Sequence, residues 1–187
     1  IQMRSYQAAE FHFAKALKLN PSGTQEQLNL ASIRLLSAQP KIVAESRATL
    51  EKLMADPLLG REAAQALLAD HLRQNDIAKQ LELALKITRM PGSRFTDRLL
   101  YLDLLRRDKD TRFAAGLAAV KQLALKDTSN ASELVAWMNA RDQIQAAYDW
   151  AASQPPKERC NPAMALALTE TFTREKEWEE LLTATTK

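Results

Sequence analysis

Glycine is scarce in this chain, with four in 187 residues. None stands in a glycine-rich run: "PSG" and "PGS" are turns, so no loop is built to cradle a phosphate with backbone N–H groups. A single cysteine, Cys160, excludes an internal disulfide. The region therefore calls for no oxidising compartment, although a bacterial periplasm stays open to it. Two histidines, His12 and His71, with one cysteine fall short of the several His/Cys ligands a zinc site takes. No apolar run reaches the roughly 18 residues of a membrane-spanning helix, and no secretory leader pattern is visible. Aromatics make up 6% of the chain, and the β-branched and aromatic runs that favour strands are few.

What is abundant is helix-forming: Ala, Leu, Lys, Arg, Gln and Glu dominate. With 46% hydrophobic and 26% charged residues, the composition is that of a globular all-α protein. The net charge of +3 is too small to imply nucleic acid by itself, but it is unevenly spread. Residues 1–72 carry +1, residues 73–126 carry +6 and residues 127–187 carry −4. Two readings stay open, a drift of charge over solvated faces or a basic middle that meets an anionic partner.

Prolines punctuate the chain at a period. Pro21, Pro57 and Pro91 each close an apolar-periodic stretch, at nearly equal intervals. "LKDTSN" (125–130) and "SQPPKERCNP" (153–162) fall near the next two places. A recurrence of about 34 residues is the mark of a repeat array with two helices per unit. The pattern predicts a helix over 2–19, then pairs at 24–37 and 41–55, 60–74 and 76–90, 94–107 and 111–126, 130–140 and 143–154, and 162–174 and 177–186. At the joints, "NPSGT" (20–24) offers Thr24 as an N-cap and "MPGS" (90–93) offers Ser93. "RQND" (73–76) and "RRDKD" (106–110) are tight polar turns suited to antiparallel helices.

Within "AEFHFAKALKLNP" (9–21), Ala9, Phe13, Ala16 and Pro21 place a small residue, an aromatic, a small residue and a closing proline at spacings of four, three and five. Small residues at two turns let a neighbouring helix approach, the aromatic fills the gap, and the proline stops the helix. This stretch resembles the second helix of the tetratricopeptide repeat. The resemblance recurs in 67–91, where Leu68-Ala69 stand for Leu-Gly, Leu72 for Tyr, and Asn75 where the turn glycine usually sits. It recurs in 134–153, with Ala146, Trp150 and Ser153 as the small-aromatic-small set, and begins again at Trp178. It is weak in 24–57, where Ser46, Leu50 and Leu53 replace that set, and in 94–127. The resemblance implies one domain, a right-handed α-α superhelix of antiparallel helix pairs. Its units are approximately 1–23, 24–58, 59–92, 93–128, 129–160 and 161–187. Other α-α repeats are the rivals. Because 2–19 reads as a second helix without its first, further repeats, or a linker and anchor, are expected before Ile1.

In such arrays the first helices line the concave face, and ligands lie there. Aligned by their small core residue and turn, the first helices put Ser32, Asp70, Asp103, Trp137 and Glu170 in one outward row, with Leu35, Arg73 and Arg106 one turn later. Asp70/Arg73 and Asp103/Arg106 thus recur one unit apart as i, i+3 pairs. They read either as solvated ion pairs or as a groove of alternating charge with Trp137 as an aromatic anchor for a peptide. The family's clamp for a C-terminal carboxylate uses Lys and Asn in this row, and here the row is acidic, so that specificity is not carried over.

No catalytic constellation stands out. His12 points away from the Ala9/Phe13/Ala16 stripe, and His71, beside Asp70, reads as a surface histidine before it reads as a proton relay. Glu175, Glu177, Glu179 and Glu180 form a solvated acidic face, since acid-base work would need burial to move a pKa. Trp150, Trp178 and the scattered methionines read as core, as does at least one of Phe95 and Tyr101. Cys160 reads as a loop thiol. The expectation is a non-enzymatic module, without cofactor or metal, that binds a protein or peptide through Asp70, Arg73, Asp103, Arg106, Trp137 and Glu170. Two alternatives remain: an RNA-binding repeat using 73–126, or a spacer attached to an upstream enzyme or membrane anchor.

Overall fold

A computed structural model of the chain describes residues 2–159 and 161–175. Among these residues all regular structure is helical, and no strand occurs. The helices are α1 (Gln2–Leu19), α2 (Thr24–Arg34), α3 (Pro40–Leu53), α4 (Gly60–Gln74), α5 (Ile77–Ile87), α6 (Phe95–Arg107), α7 (Phe113–Ala124), α8 (Thr128–Asn139), α9 (Ile144–Ala152), α10 (Pro156–Arg159) and α11 (Pro162–Glu175). The periodicity therefore locates all of these but one to within a few residues. It misses the single turn of α10, and the helix expected over 177–186 lies outside the described residues.

The joints differ from expectation in their chemistry. Thr24 is the first helical residue rather than a cap: the N-cap of α2 is Gly23, with no side-chain bond. Ser93 does not cap α6 either. Its Oγ accepts from Arg98 Nη1 at 3.4 Å, and the N–H of Arg94 is taken by the Asp97 carboxylate, further along the chain, at 2.7 Å. A carboxylate reaching back to the start of its own helix is half of a capping box. Two other helices, α5 and α8, carry ordinary side-chain caps. Asp76 accepts from Lys79 N–H at 3.2 Å, Asp127 from Ser129 N–H at 2.8 Å, and Pro40 opens α3 where its missing N–H costs nothing. Gly60 opens α4 because a Cβ there would lie 2.6 Å from the Met54 carbonyl oxygen.

Three helices end in one way. Asn75, Lys109 and Asp142 follow α4, α6 and α8 with φ of 56°, 53° and 55°. The next N–H then reaches back across each turn: Asp76 to the His71 carbonyl at 3.1 Å, Asp110 to Leu105 at 2.9 Å, and Gln143 to Met138 at 3.0 Å. The left-handed residues themselves donate to Leu72, Arg106 and Asn139. This is the Schellman arrangement, which satisfies the last carbonyls of a helix while reversing the chain. The two intervals separating the three turns are equal to within a single position.

The chain divides into two compact units, residues 1–104 and 105–187. In the first, α1 packs on α2, α2 on α3 and α4, α3 on α4, and α4 on α5. Its core includes Leu28, Leu35, Leu50, Leu67, Leu68, Leu83, Ile87 and Leu104, with Tyr101 partly buried against it. Ala63 and Ala64 on α4, both fully buried, are the small residues that let helices approach. The α1 stripe of Ala9, Phe13 and Ala16 is half-buried, while Phe11 and His12 are exposed. In the second unit α8 packs on α7, α9 and α11, and α11 also on α9. Met138, Leu134, Val135 and Met164 are fully buried there. Trp150 is buried as expected, but its buried small neighbours are Ala147 and Ala151 rather than Ala146 and Ser153. Tyr148 meets Phe172 edge to face at 5.7 Å. Two polar side chains finish this packing: Asn139 Nδ2 donates to the Ala167 carbonyl at 3.1 Å, and Thr171 Oγ1 donates to Asn139 Oδ1 at 3.0 Å.

Candidate functional site

The left-handed turns fix the register of the first helices independently of any alignment. The equivalent place before Asn75, Lys109 and Asp142 is held by Asp70, Leu104 and Trp137. All three are buried, at 3%, 3% and 6% exposure. Of the row expected to face outward, Asp70 and Trp137 are thus buried, while Asp103 and Arg106 stand one position off the register that the turns set. An alignment anchored on small residues slips here, because small residues occur at adjacent positions in these alanine-rich helices.

Asp70 is committed to its neighbours. Arg47 Nε from α3 lies 2.7 Å from one carboxylate oxygen, joined by Gln74 Nε2 at 2.7 Å, and Arg73 Nη2 lies 3.0 Å from the other. The Asp70/Arg73 pair expected from spacing therefore forms, with Arg73 still 45% exposed. Arg106 is exposed and donates Nη2 to the Arg141 carbonyl at 2.9 Å. Asp103 is half-buried and Glu170 exposed, and each has an interaction of its own. Ser32 is half-buried and Leu35 buried. His71 sits with Asp76, Nδ1 to Oδ2 3.3 Å, rather than with Asp70.

A second buried carboxylate escapes the sequence. Asp97 receives Arg61 Nε at 2.9 Å and Nη2 at 3.0 Å, Gln65 Nε2 at 3.1 Å and Arg94 N–H at 2.7 Å. Burial pushes the Asp97 carboxyl up, but the Arg61 guanidinium and the other donors outweigh it and hold the group below the ordinary carboxylate value. The capping half of this arrangement is legible from the short spacing of Arg94 and Asp97. The Arg61 half, on another helix, is not.

Open space lies between alternate helices. A cavity of about 550 Å³ is bounded by Leu17 of α1, Leu30 and Ala31 of α2, and Ile42, Thr49 and Leu53 of α3, with Glu45, Lys52 and Asp56 among the residues lining it. The space between α3 and α5, about 390 Å³, is lined by Arg47, Met54, His71, Lys79 and Glu82. In the second unit a cavity of about 540 Å³ lies between α7 and α9, among Ala118, Ala119, Leu125 and Trp150. These grooves are formed by the helices read as second helices, whereas the charged row is expected on the first.

Trp137 is the remaining member of that row. Its ring is covered by Arg141, whose Cζ lies 4.8 Å from the ring centroid and whose Nη1 donates to the Trp137 carbonyl at 3.2 Å. Its indole Nε1–H is sealed from solvent and has no acceptor among the described residues. Cys160, Glu177, Trp178, Glu179 and Glu180 lie outside the described residues. Among the described residues, no three His, Cys, Asp or Glu side chains are placed to hold a metal ion, and no helix is long and apolar enough to cross a membrane. Neither a protein-family model, nor a curated protein, nor a solved structure matches this chain.

Proposed function

We propose that the chain is a non-enzymatic helical-repeat module of tetratricopeptide type, a right-handed stack of antiparallel helix pairs that holds a protein or peptide partner. The observation that supports this most is the recurrence of one turn, with left-handed Asn75, Lys109 and Asp142 at a near-constant interval. That interval matches the period of about 34 residues on which such repeats are built. A non-glycine residue in the left-handed conformation costs on the order of 1 kcal/mol. Three of them at one period, with the same pair of backbone bonds, fit a unit repeated along the chain.

The partner's place in this reading is the groove between alternate helices, first of all that between α1 and α3. Its walls are aliphatic, its charged residues mix both signs, and its volume falls in the range of about 300–1,000 Å³ usual for ligand sites. Helices already packed in place leave little to order on binding. Thr49 is half-buried in this groove, and an arginine there would obstruct it without emptying the core. The test is affinity capture with the intact chain and with Thr49→Arg and Ala118→Arg. The expected result is loss of partner with Thr49→Arg at unchanged helicity. Capture unaffected by both substitutions would remove the groove from the account.

A further inference from the structure

The indole N–H of Trp137 is the most conspicuous unmet group in the second unit. The residue is 6% exposed and its Nε1 has no acceptor among the described residues. A buried donor left without a partner forfeits its hydration without replacing it, so the resting arrangement holds a deficit that an incoming acceptor would relieve. Over the ring lies the Arg141 guanidinium, its Cζ 4.8 Å from the ring centroid. Beside it is Arg106, which is exposed, forms no ion pair with a described residue, and uses only Nη2, on the Arg141 carbonyl. Four of a guanidinium's five N–H groups are then open. The last carbonyls of α6 and α8 bring partial negative charge to this end, and the two guanidiniums already offset it, since each donates to a backbone carbonyl there.

We propose that this cluster is an acid-recognition site, where the carboxylate of a partner's Asp or Glu side chain pairs with Arg106, displaces Arg141 from the ring, and accepts the Trp137 indole N–H with its second oxygen. Arg106 supplies the charge that draws the group in. Arg141 excludes water while the site is empty. Trp137 discriminates, because its N–H is satisfied only by an acceptor that reaches past the cover. The inference rests on reading the chain as a binding module and adds the chemistry of its partner.

The test is titration of the full chain with acetylated, amidated hexaglutamate, followed by the indole N–H resonances, with Trp137 assigned by Trp137→Phe. Hexaglutamine and inorganic phosphate at matched ionic strength are the comparison probes. The Trp137 resonance should move downfield with hexaglutamate alone, and Arg106→Gln should weaken that binding about tenfold or more. Arg106→Lys, which keeps the charge and loses the fork, should lie between. A Trp137 signal unmoved at millimolar hexaglutamate, an affinity indifferent to Arg106→Gln, or an equal movement with phosphate would overturn the assignment. If partner capture is still lost with Thr49→Arg in that event, the module stands and only this site falls.

Discussion

Arg61 on α4 holds Asp97 on α6 through two near-parallel bonds, Nε to one carboxylate oxygen at 2.9 Å and Nη2 to the other at 3.0 Å. Both side chains are largely withdrawn from water, at 14% and 5% exposure. Such a pair adds little over a well-packed apolar pair of the same size, but losing one partner strands the other's charge.

Asp97→Ala should therefore destabilise the chain by about 3 kcal/mol at neutral pH. The double change Arg61→Met/Asp97→Ala should cost less than the single one, because no unpaired charge remains. The effect has a pH signature. The Asp97 carboxyl is held below its ordinary value in the folded chain, so its contribution is present above the unfolded carboxylate pKa of about 3.9 and fades as pH falls through the folded value. Urea unfolding of the wild type and Asp97→Ala should converge in acid. A gap that stays constant from neutral pH through to acid would contradict this.

Lys109 has the φ of 53° that favours glycine. Lys109→Gly should raise stability by up to about 1 kcal/mol, since relief of the left-handed conformation outweighs the added freedom of the unfolded chain. Lys109→Val should lower it. A loss of stability with glycine, measured by urea unfolding, would mean that the lysine side chain holds the turn in some other way.

The equivalence of the turns permits a blunter experiment. Excising residues 76–109 joins Asn75 directly to Asp110, replacing one left-handed exit with another. If the turns mark a structural period, the shortened chain should keep a cooperative unfolding transition and nearly the same helicity per residue. Helical content without a cooperative transition would show that the period is one of turns only.

These elements also show what is legible in advance. Asn75 stands where a turn glycine belongs, and it adopts the left-handed conformation. Asp142 does so as well, another residue type that tolerates this conformation, but Lys109 does so without a residue type to announce it, so prolines and apolar spacing reveal the period but not its exact register. That small uncertainty decides the fate of the charged row. Asp70 and Trp137 hold one turn position in two helices, and both are buried. The position belongs to Leu104 in α6, where a leucine reads as core and the aspartate just before it reads as surface. Arg47 and Arg61, the partners of Asp70 and Asp97, come from 23 and 36 residues away. Side-chain pairing over that distance depends on how helices stack, which periodicity does not specify. The stretch 9–21 is legible in its parts, with His12 outside the packing stripe.

The most direct test of the account is site-specific photo-crosslinking in the native host. A photoreactive residue at Thr49, in the α1/α3 groove, is compared with one at Leu58, which is 87% exposed and lies outside it. The account predicts a discrete crosslinked partner from position 49 that is absent from position 58. The same products from both positions, or none from position 49, would contradict it.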